Sequence, residues 1–283
     1  MMVALPKKIW ILWFQGEEEM PYVVRHCFKS WKIHNPEYDI QLLTSQNYTD
    51  FIEIEEQILS NGIITKQALS DIVRVFLLDK YGGVWVDATC FCTKPLDAWL
   101  PQSMTFDFYA FQKPGVDRLI SSWFLASEAK GDFISAYKQK VLNYWMNSNV
   151  KKQMGGDVDV SSLNDRTMQR LKKTKGMSWA FVLRFFIEVY IKKKSPYFWF
   201  HYLFALILHS NMKMKRAWFE QNSFSSDGPH ILIREGLDEL ITDDIKQVIA
   251  SNDVPLYKLD WRIDESDLRH DSILQYLFRE KNI

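Results

Sequence analysis

The sequence predicts an α/β fold, a mixed and mostly parallel sheet flanked by helices, and three observations predict it. Short apolar runs of strand length alternate with stretches of helical spacing through the first hundred residues. Hydrophobic residues make up 47% of the 283 and aromatics 15%, enough to bury a full core. Gly (11) and Pro (9) are scarce, which disfavours an all-β chain with many turns. No internal repeat or low-complexity linker divides the chain, so a single domain over 1–283 is expected.

The elements follow in order. Lys8 to Trp13 is a short apolar run ended by Gly16 and reads as a buried strand. Pro21 to Ile33 has helical spacing and stops near Asn35-Pro36. Tyr38 to Leu43 alternates like a strand, and Asn47 to Ser60 reads as helical. Thr65 to Lys80 is the clearest helix, closed by Gly82-Gly83, and Val84-Trp85-Val86 resumes a strand. Further strands are expected at Phe106 to Phe111 and Leu119 to Leu125, and a helix at Gly131 to Trp145. Lys151 to Asp165 reads as a loop. Ile231-Leu232-Ile233 is expected as a strand, Leu237 to Ala250 as a helix, and Leu256 to Leu259 as a strand.

Parallel strands joined by helices gather ligands beyond their carboxyl ends. Trp13 stands at that end of the first strand and Asp87 at that end of a later one, so one pocket is expected to hold both.

Charge removes some functions. The chain carries 35 Lys+Arg against 35 Asp+Glu, which excludes a chain-wide cationic field for nucleic acid and the composition of a disordered chain. The balance is uneven: Lys172 to Arg216 holds ten Lys or Arg and one acid, Glu188, leaving 25 bases and 34 acids elsewhere. Cys27, Cys90 and Cys92 have neither disulfide-framework nor zinc spacing and are expected as buried thiols. With no secretory signal and no spanning run in the sequence, a cytoplasmic protein is expected.

On the Thr65–Lys80 helix, Leu69, Ile72, Val73 and Phe76 form the core stripe, and Gln67, Ser70, Asp71 and Arg74 a polar one. In isolation the Asp71/Arg74 pair reads as an exposed i,i+3 ion pair worth a few tenths of a kcal/mol. Its context differs, because this stripe leads through Tyr81-Gly82-Gly83 into an apolar strand that ends on Asp87.

Ser70-Asp71, Arg74 and Tyr81-Gly82-Gly83-Val84-Trp85-Val86-Asp87-Ala88-Thr89 resemble the signature of nucleotide-sugar-dependent glycosyltransferases of the GT-A fold, a Rossmann-type architecture. The chain is most similar to the bacterial capsular polysaccharide synthesis family, through Lys7 to Trp13, Ser30-Trp31, Asn35-Pro36 and Pro255 to Leu259 as well. The likeness is strong over residues 6–100 and thin in the C-terminal third.

The resemblance implies roles. Trp13 stacks on the uracil of a UDP-sugar donor; Ser70, Asp71 and Arg74 grip the donor sugar and diphosphate; Asp87 bridges ribose and a divalent cation, Mn²⁺ or Mg²⁺. Residues 1–100 then form the nucleotide-sugar-binding half. Asp71, Arg74 and Asp87 are the expected catalytic group. Where the broad group has a second Asp, this chain has Thr89, a weaker and neutral ligand; Asp87, Thr89 and His230 are the candidate metal set. Lys258 and Trp261 are expected to close over the donor. A true Asp-x-Asp at Asp157-Val158-Asp159 has no apolar strand before it and reads as loop chemistry.

Residues 172–216 are basic and aromatic, and two readings stand: a helical surface for anionic membrane or acceptor, or a helical hairpin buried in the protein. The expected reaction is retaining transfer of a sugar to a saccharide acceptor carried on polyprenyl diphosphate, at the inner face of the cell membrane. The alternative is a nucleotide-sugar-binding or peripheral-membrane scaffold of capsule assembly.

Overall fold

A computed structural model describes residues 5–60, 64–115, 118–147, 153–154, 183, 185–192 and 194–283. Its first half contains β1 (Lys8–Leu12), α1 (Tyr22–His34), β2 (Asp39–Leu43), α2 (Tyr48–Phe51), α3 (Glu56–Leu59), α4 (Lys66–Tyr81), β3 (Gly83–Asp87) and β4 (Cys90–Cys92). Then come α5 (Leu100–Ser103), β5 (Phe108–Gly115), β6 (Arg118–Ser127), α6 (Asp132–Met146), β7 (Gln153–Met154) and β8 (Lys194–Ser195). The remainder comprises α7 (Trp199–Ser210), α8 (Met212–Glu220), α9 (Ile231–Glu235), α10 (Asp243–Ser251), β9 (Leu256–Lys258) and α11 (Ile273–Glu280).

The main sheet has the order β2-β1-β3-β6-β5. β1 is parallel to both β2 and β3, whereas β6 is antiparallel to β3 and β5, so β6 alone runs against the rest. This is the mixed, mostly parallel sheet expected. Alternation along β1 and β3 divides the core. Trp10, Leu12 and Trp85 face the cluster built with α4, α6 and α7, while Ile9, Ile11, Val84 and Val86 face α1. Helix α1 is buried on both sides: Val24, Phe28 and Trp31 meet the sheet, and Val23 and Cys27 meet α10 and α11. Trp31 also donates Nε1–H to the Cys90 carbonyl at 2.7 Å, tying α1 to β4. All three cysteines are buried free thiols, as expected.

Several expectations are corrected. The Asn47–Ser60 helix is broken at Ile52, whose backbone is extended (φ −137°, ψ 146°). Ile52 and Ile58 are both buried, and one continuous helix would set them on different faces. Ile231-Leu232-Ile233 forms helix α9 and not a strand; a triplet this short carries no decisive period. The helix expected from Leu237 begins at Asp243, where the Thr242 hydroxyl accepts from the Ile245 N–H.

In the basic segment, α7 is buried. Trp199, Phe200, Tyr202, Phe204 and Leu208 lie in the core, with Tyr137 stacked on Phe200 at 4.5 Å and Tyr144 on Trp199 at 5.3 Å. A helix apolar all round seeks a core, so for α7 the buried reading holds and the lipid-facing one does not. Lys192, Lys213 and Arg216 pair with Glu188, Asp132 and Glu220, which offsets part of the local positive charge. Ile191, Tyr197 and Met212 are exposed apolar side chains of the same segment. Among the described residues no helix is long and apolar enough to cross a membrane. Asp157-Val158-Asp159 and residues 172–182 lie outside the described residues.

Candidate active site

Local sequence builds the first part of the site. The Thr65 hydroxyl caps α4 by accepting from the Ala68 N–H at 3.2 Å. Gly82 (φ 66°) and Gly83 (φ 91°) then turn the chain into β3. A Cβ on Gly83 would stand 2.5 Å from the Lys8 carbonyl oxygen, and one on Gly82 2.6 Å from the Ala129 nitrogen. Only glycine satisfies both the left-handed backbone and this close approach. The turn leads β3 back along the sheet in register with β1, Leu12 opposite Asp87. Trp13 and Asp87 therefore share the carboxyl edge, as expected. Asp87 is in phase with Trp85, on the α4 side of the sheet.

Arg74 of α4 is the centre of this edge, with only 4% of its surface exposed. Its Nη1 reaches Asp71 Oδ1 at 3.0 Å and donates to the Ser122 carbonyl at 2.6 Å. Nη2 lies 3.4 Å from Asp87 Oδ1 and donates to Ser70 Oγ at 3.0 Å, while Nε donates to the Ser70 carbonyl at 3.3 Å. Every guanidinium nitrogen is thus engaged, and the plane lies near the rings of Trp85 (5.0 Å) and Phe200 (5.6 Å). Trp85 donates Nε1–H to Asp87 Oδ1 at 3.1 Å. Burial pushes the Asp71 carboxyl up to about 6; the Arg74 charge opposes this and the Asp87 charge adds to it. The expected grouping of Ser70, Asp71, Arg74 and Asp87 is present. Trp85, Ser122 and Phe200 are partners that sequence reasoning missed. Trp85 was readable from its strand alternation with Asp87, whereas the Ser122 contact is to a backbone carbonyl and leaves no sequence signal.

A second grouping joins Thr89 to the C-terminal part. Strand β9 pairs antiparallel with β4, Cys90 opposite Lys258, and the Leu259 N–H donates to the Thr89 carbonyl at 2.8 Å. The Lys258 ammonium donates to the Thr89 hydroxyl. His230 precedes α9; its Nδ1 donates to the Ser226 carbonyl at 2.8 Å, and its ring meets Trp123 edge-on at 5.6 Å. Burial lowers its pKa, and the nearby Lys258 charge lowers it further. A third grouping pairs Trp13 with Trp261, edge to face at 6.1 Å, and Trp13 donates Nε1–H to the Glu19 carbonyl at 3.1 Å.

The expected metal set does not fit a cation held by the protein. The Thr89 hydroxyl is engaged by an ammonium, and Asp87 Oδ1 by Arg74 and Trp85. Among the described residues no group of three His, Cys, Asp or Glu side chains converges in a metal-binding arrangement. The Lys258 ammonium held against the second motif position repels the ion that an aspartate there would attract.

O-glycosyltransferase braB of Annulohypoxylon truncatum is 26% identical over 164 residues, 50% of this chain and 38% of that protein. The initiation-specific alpha-1,6-mannosyltransferase of Saccharomyces cerevisiae is 26% identical over 114 residues, 36% and 23% of the two chains. The chain thus spans well under half the length of these curated relatives. Among solved structures, the UDP-bound glycosyltransferase domain of the YGT toxin aligns over 88% of this chain and 89% of its own, with a TM-score of 0.40 and 9% identity. A family model described as capsular polysaccharide synthesis protein matches residues 3–153 and 162–277. The match takes in α4, the double-glycine turn, Asp87 and the Lys258 strand, and the chain belongs to the capsular polysaccharide synthesis protein family.

Proposed function

We propose that this protein is a glycosyltransferase that moves the sugar of a UDP-sugar to a hydroxyl of a growing capsular or surface polysaccharide. The observation that carries the reading is Arg74, buried between Asp71 and Asp87 at the carboxyl edge of the sheet. Two carboxylates fixed by one guanidinium form a rigid acceptor array for sugar hydroxyls, and preorganised charge is worth most where water is excluded. Trp13 provides an aromatic face for the base at the same edge, and Trp261 closes beside it. Residues 1–100 supply the nucleotide-sugar-binding half of a single domain. The glycosyltransferase names of the two curated relatives support the same chemistry.

In the reaction the C1–O bond to the diphosphate breaks and its electron pair leaves with UDP. The acceptor oxygen bonds to C1, and its proton passes to the departing diphosphate. Both carboxylates of the site are bound to Arg74, which suits them to holding hydroxyls and not to abstracting a proton from the opposite face. Retention of anomeric configuration follows in this reading. The acceptor is a saccharide on polyprenyl diphosphate at the inner membrane face. Exposed Ile191, Tyr197 and Met212 beside Lys192 and Lys213 support contact with that surface in place of the buried α7.

A panel of UDP-sugars and GDP-sugars, screened by thermal shift and by released nucleotide, tests the proposal. A donor at 100 times its Kd stabilises the folded state by about 2.7 kcal/mol. A UDP-sugar is expected to shift the melting temperature and to be consumed. Response to GDP-sugars alone would overturn the donor assignment. Flotation with anionic liposomes tests the membrane contact, which fails if Lys192, Lys213 and Arg216 changed together to Glu leave binding untouched.

A further inference from the structure

We propose that Lys258 is the resident cation of the donor site, so that this protein binds and cleaves a nucleoside diphosphate-sugar without a divalent metal. The inference rests on the nucleoside diphosphate reading above and concerns what neutralises the diphosphate. Its starting point is a conflict: the motif position where a second carboxylate would hold a metal carries Thr89, and the Thr89 hydroxyl is bound by an ammonium.

The placement of that ammonium is built into the fold. Lys258 is fixed by three backbone relationships: pairing opposite Cys90, its own N–H donating to the Pro229 carbonyl at 2.8 Å, and the next N–H donating to the Thr89 carbonyl at 2.8 Å. Its flanking residues Tyr257 and Leu259 are buried, so the strand cannot slide without opening the cluster formed with α1 and α11. The side chain is half-buried, and its hydrogen bonds go to Thr89 Oγ1 and, at 3.4 Å, to the Leu259 carbonyl, both neutral oxygens. Among the described residues no carboxylate forms an ion pair with it. A half-buried ammonium without a counter-ion is costly unless an anion completes it. Thr89 follows Asp87 by two residues, and Asp87 pairs with Arg74 at 3.4 Å, so the ammonium stands beside the same strand end.

A diphosphate has the chemistry to complete this ammonium. As the C1–O bond breaks, its electron pair remains on the terminal phosphate oxygen, and the Lys258 ammonium donates a hydrogen bond to that charge without losing its proton. The acceptor oxygen takes C1, and its own proton ends on the released diphosphate, so no step needs a Lewis acid. The Thr89 hydroxyl then serves to aim the ammonium.

Calorimetric titration of the full chain with UDP, in excess EDTA and in millimolar Mn²⁺, tests this. Wild-type affinity is expected to agree between the two conditions within about threefold. Lys258→Met should weaken UDP at least about tenfold in EDTA, the size of one charge-assisted hydrogen bond. Lys258→Arg should recover most of the loss, and near-UV circular dichroism should show the variants folded. Wild-type binding that requires Mn²⁺ overturns the proposal, as does a folded Lys258→Met protein with unchanged affinity in EDTA. Absence of UDP binding under both conditions overturns the nucleotide reading itself, and with it this inference.

Discussion

Arg74 in α4 lies 3.4 Å from Asp87 at the end of β3, Nη2 to Oδ1, and so joins the clearest helix of the chain to the edge of its central strand. The pair exists because the glycine turn folds β3 back beside α4, and because alternation sets Asp87 on the face that α4 covers. Like charges on Asp71 and Asp87 would repel; one shared guanidinium holds both in place.

Asp87→Asn keeps the shape and leaves an amide oxygen for the Trp85 N–H, but removes the charge. Sugar transfer is expected to fall at least about 100-fold, as when one preorganised electrostatic contact is lost. The melting temperature should move by no more than about 4 °C, the scale of a 1 kcal/mol change. Released UDP and a thermal melt check both; normal turnover would falsify the site assignment.

Arg74→Met strands two carboxylates in the protein. A destabilisation of about 3–5 kcal/mol is expected from urea unfolding, the cost of breaking a buried pair from one side. Arg74→Lys should recover less than half, because an ammonium cannot reach Ser70, Ser122, Asp71 and Asp87 at once. Full recovery by lysine would show that charge alone matters.

Trp13→Ala removes the aromatic face proposed for the base. UDP affinity should weaken about tenfold, within the range of one base–aromatic stack, with partial recovery in Trp13→Phe. Calorimetry is the measurement, and an unchanged Kd sinks the stacking role.

The Asp71 carboxyl is raised from 3.8 to about 6 by burial. The folded state therefore holds this proton more tightly than the unfolded chain does. Its favourable contribution is complete below about pH 4 and is lost as pH rises through about 6. Asp71→Asn lacks the proton, so it should gain stability relative to wild type across that window, by at most about 3 kcal/mol. Melts of both proteins between pH 4 and 7 test the sign, and a constant difference would show that Asp71 titrates normally.

Much of this was legible in residue order because the signals are local. Thr65 as cap, Gly82-Gly83 as the turn and the Val84/Val86 against Trp85/Asp87 alternation act within one helix and one strand, and they determine where Asp71, Arg74 and Asp87 meet. Short segments were less readable: the Ile231 triplet and the Asn47–Ser60 stretch satisfy more than one period, and burial of Leu232, Ile52 and Ile58 chose between them. Aromatic density in residues 197–204 was equally compatible with lipid and with a core, since both are apolar solvents for a helix. The packing of α7 against α6 and β6, with Tyr137 on Phe200 and Tyr144 on Trp199, decided for the core.

By itself, then, the sequence determined the fold class, the family likeness, the Asp71/Arg74 stripe of one helix and the place of Asp87 at a strand end, because near-neighbour periodicity and glycine conformational freedom operate over a few residues. Tertiary structure alone decided that Arg74 is closed off by the Ser122 carbonyl and the Phe200 ring, and that Thr89 is met by the Lys258 ammonium. Those contacts join parts of the chain 48 and 169 residues apart, in the first and last of these pairs, and no local preference encodes them. They form only when β6, α7 and β9 pack around the same sheet edge, and burial there makes each charge seek its partner.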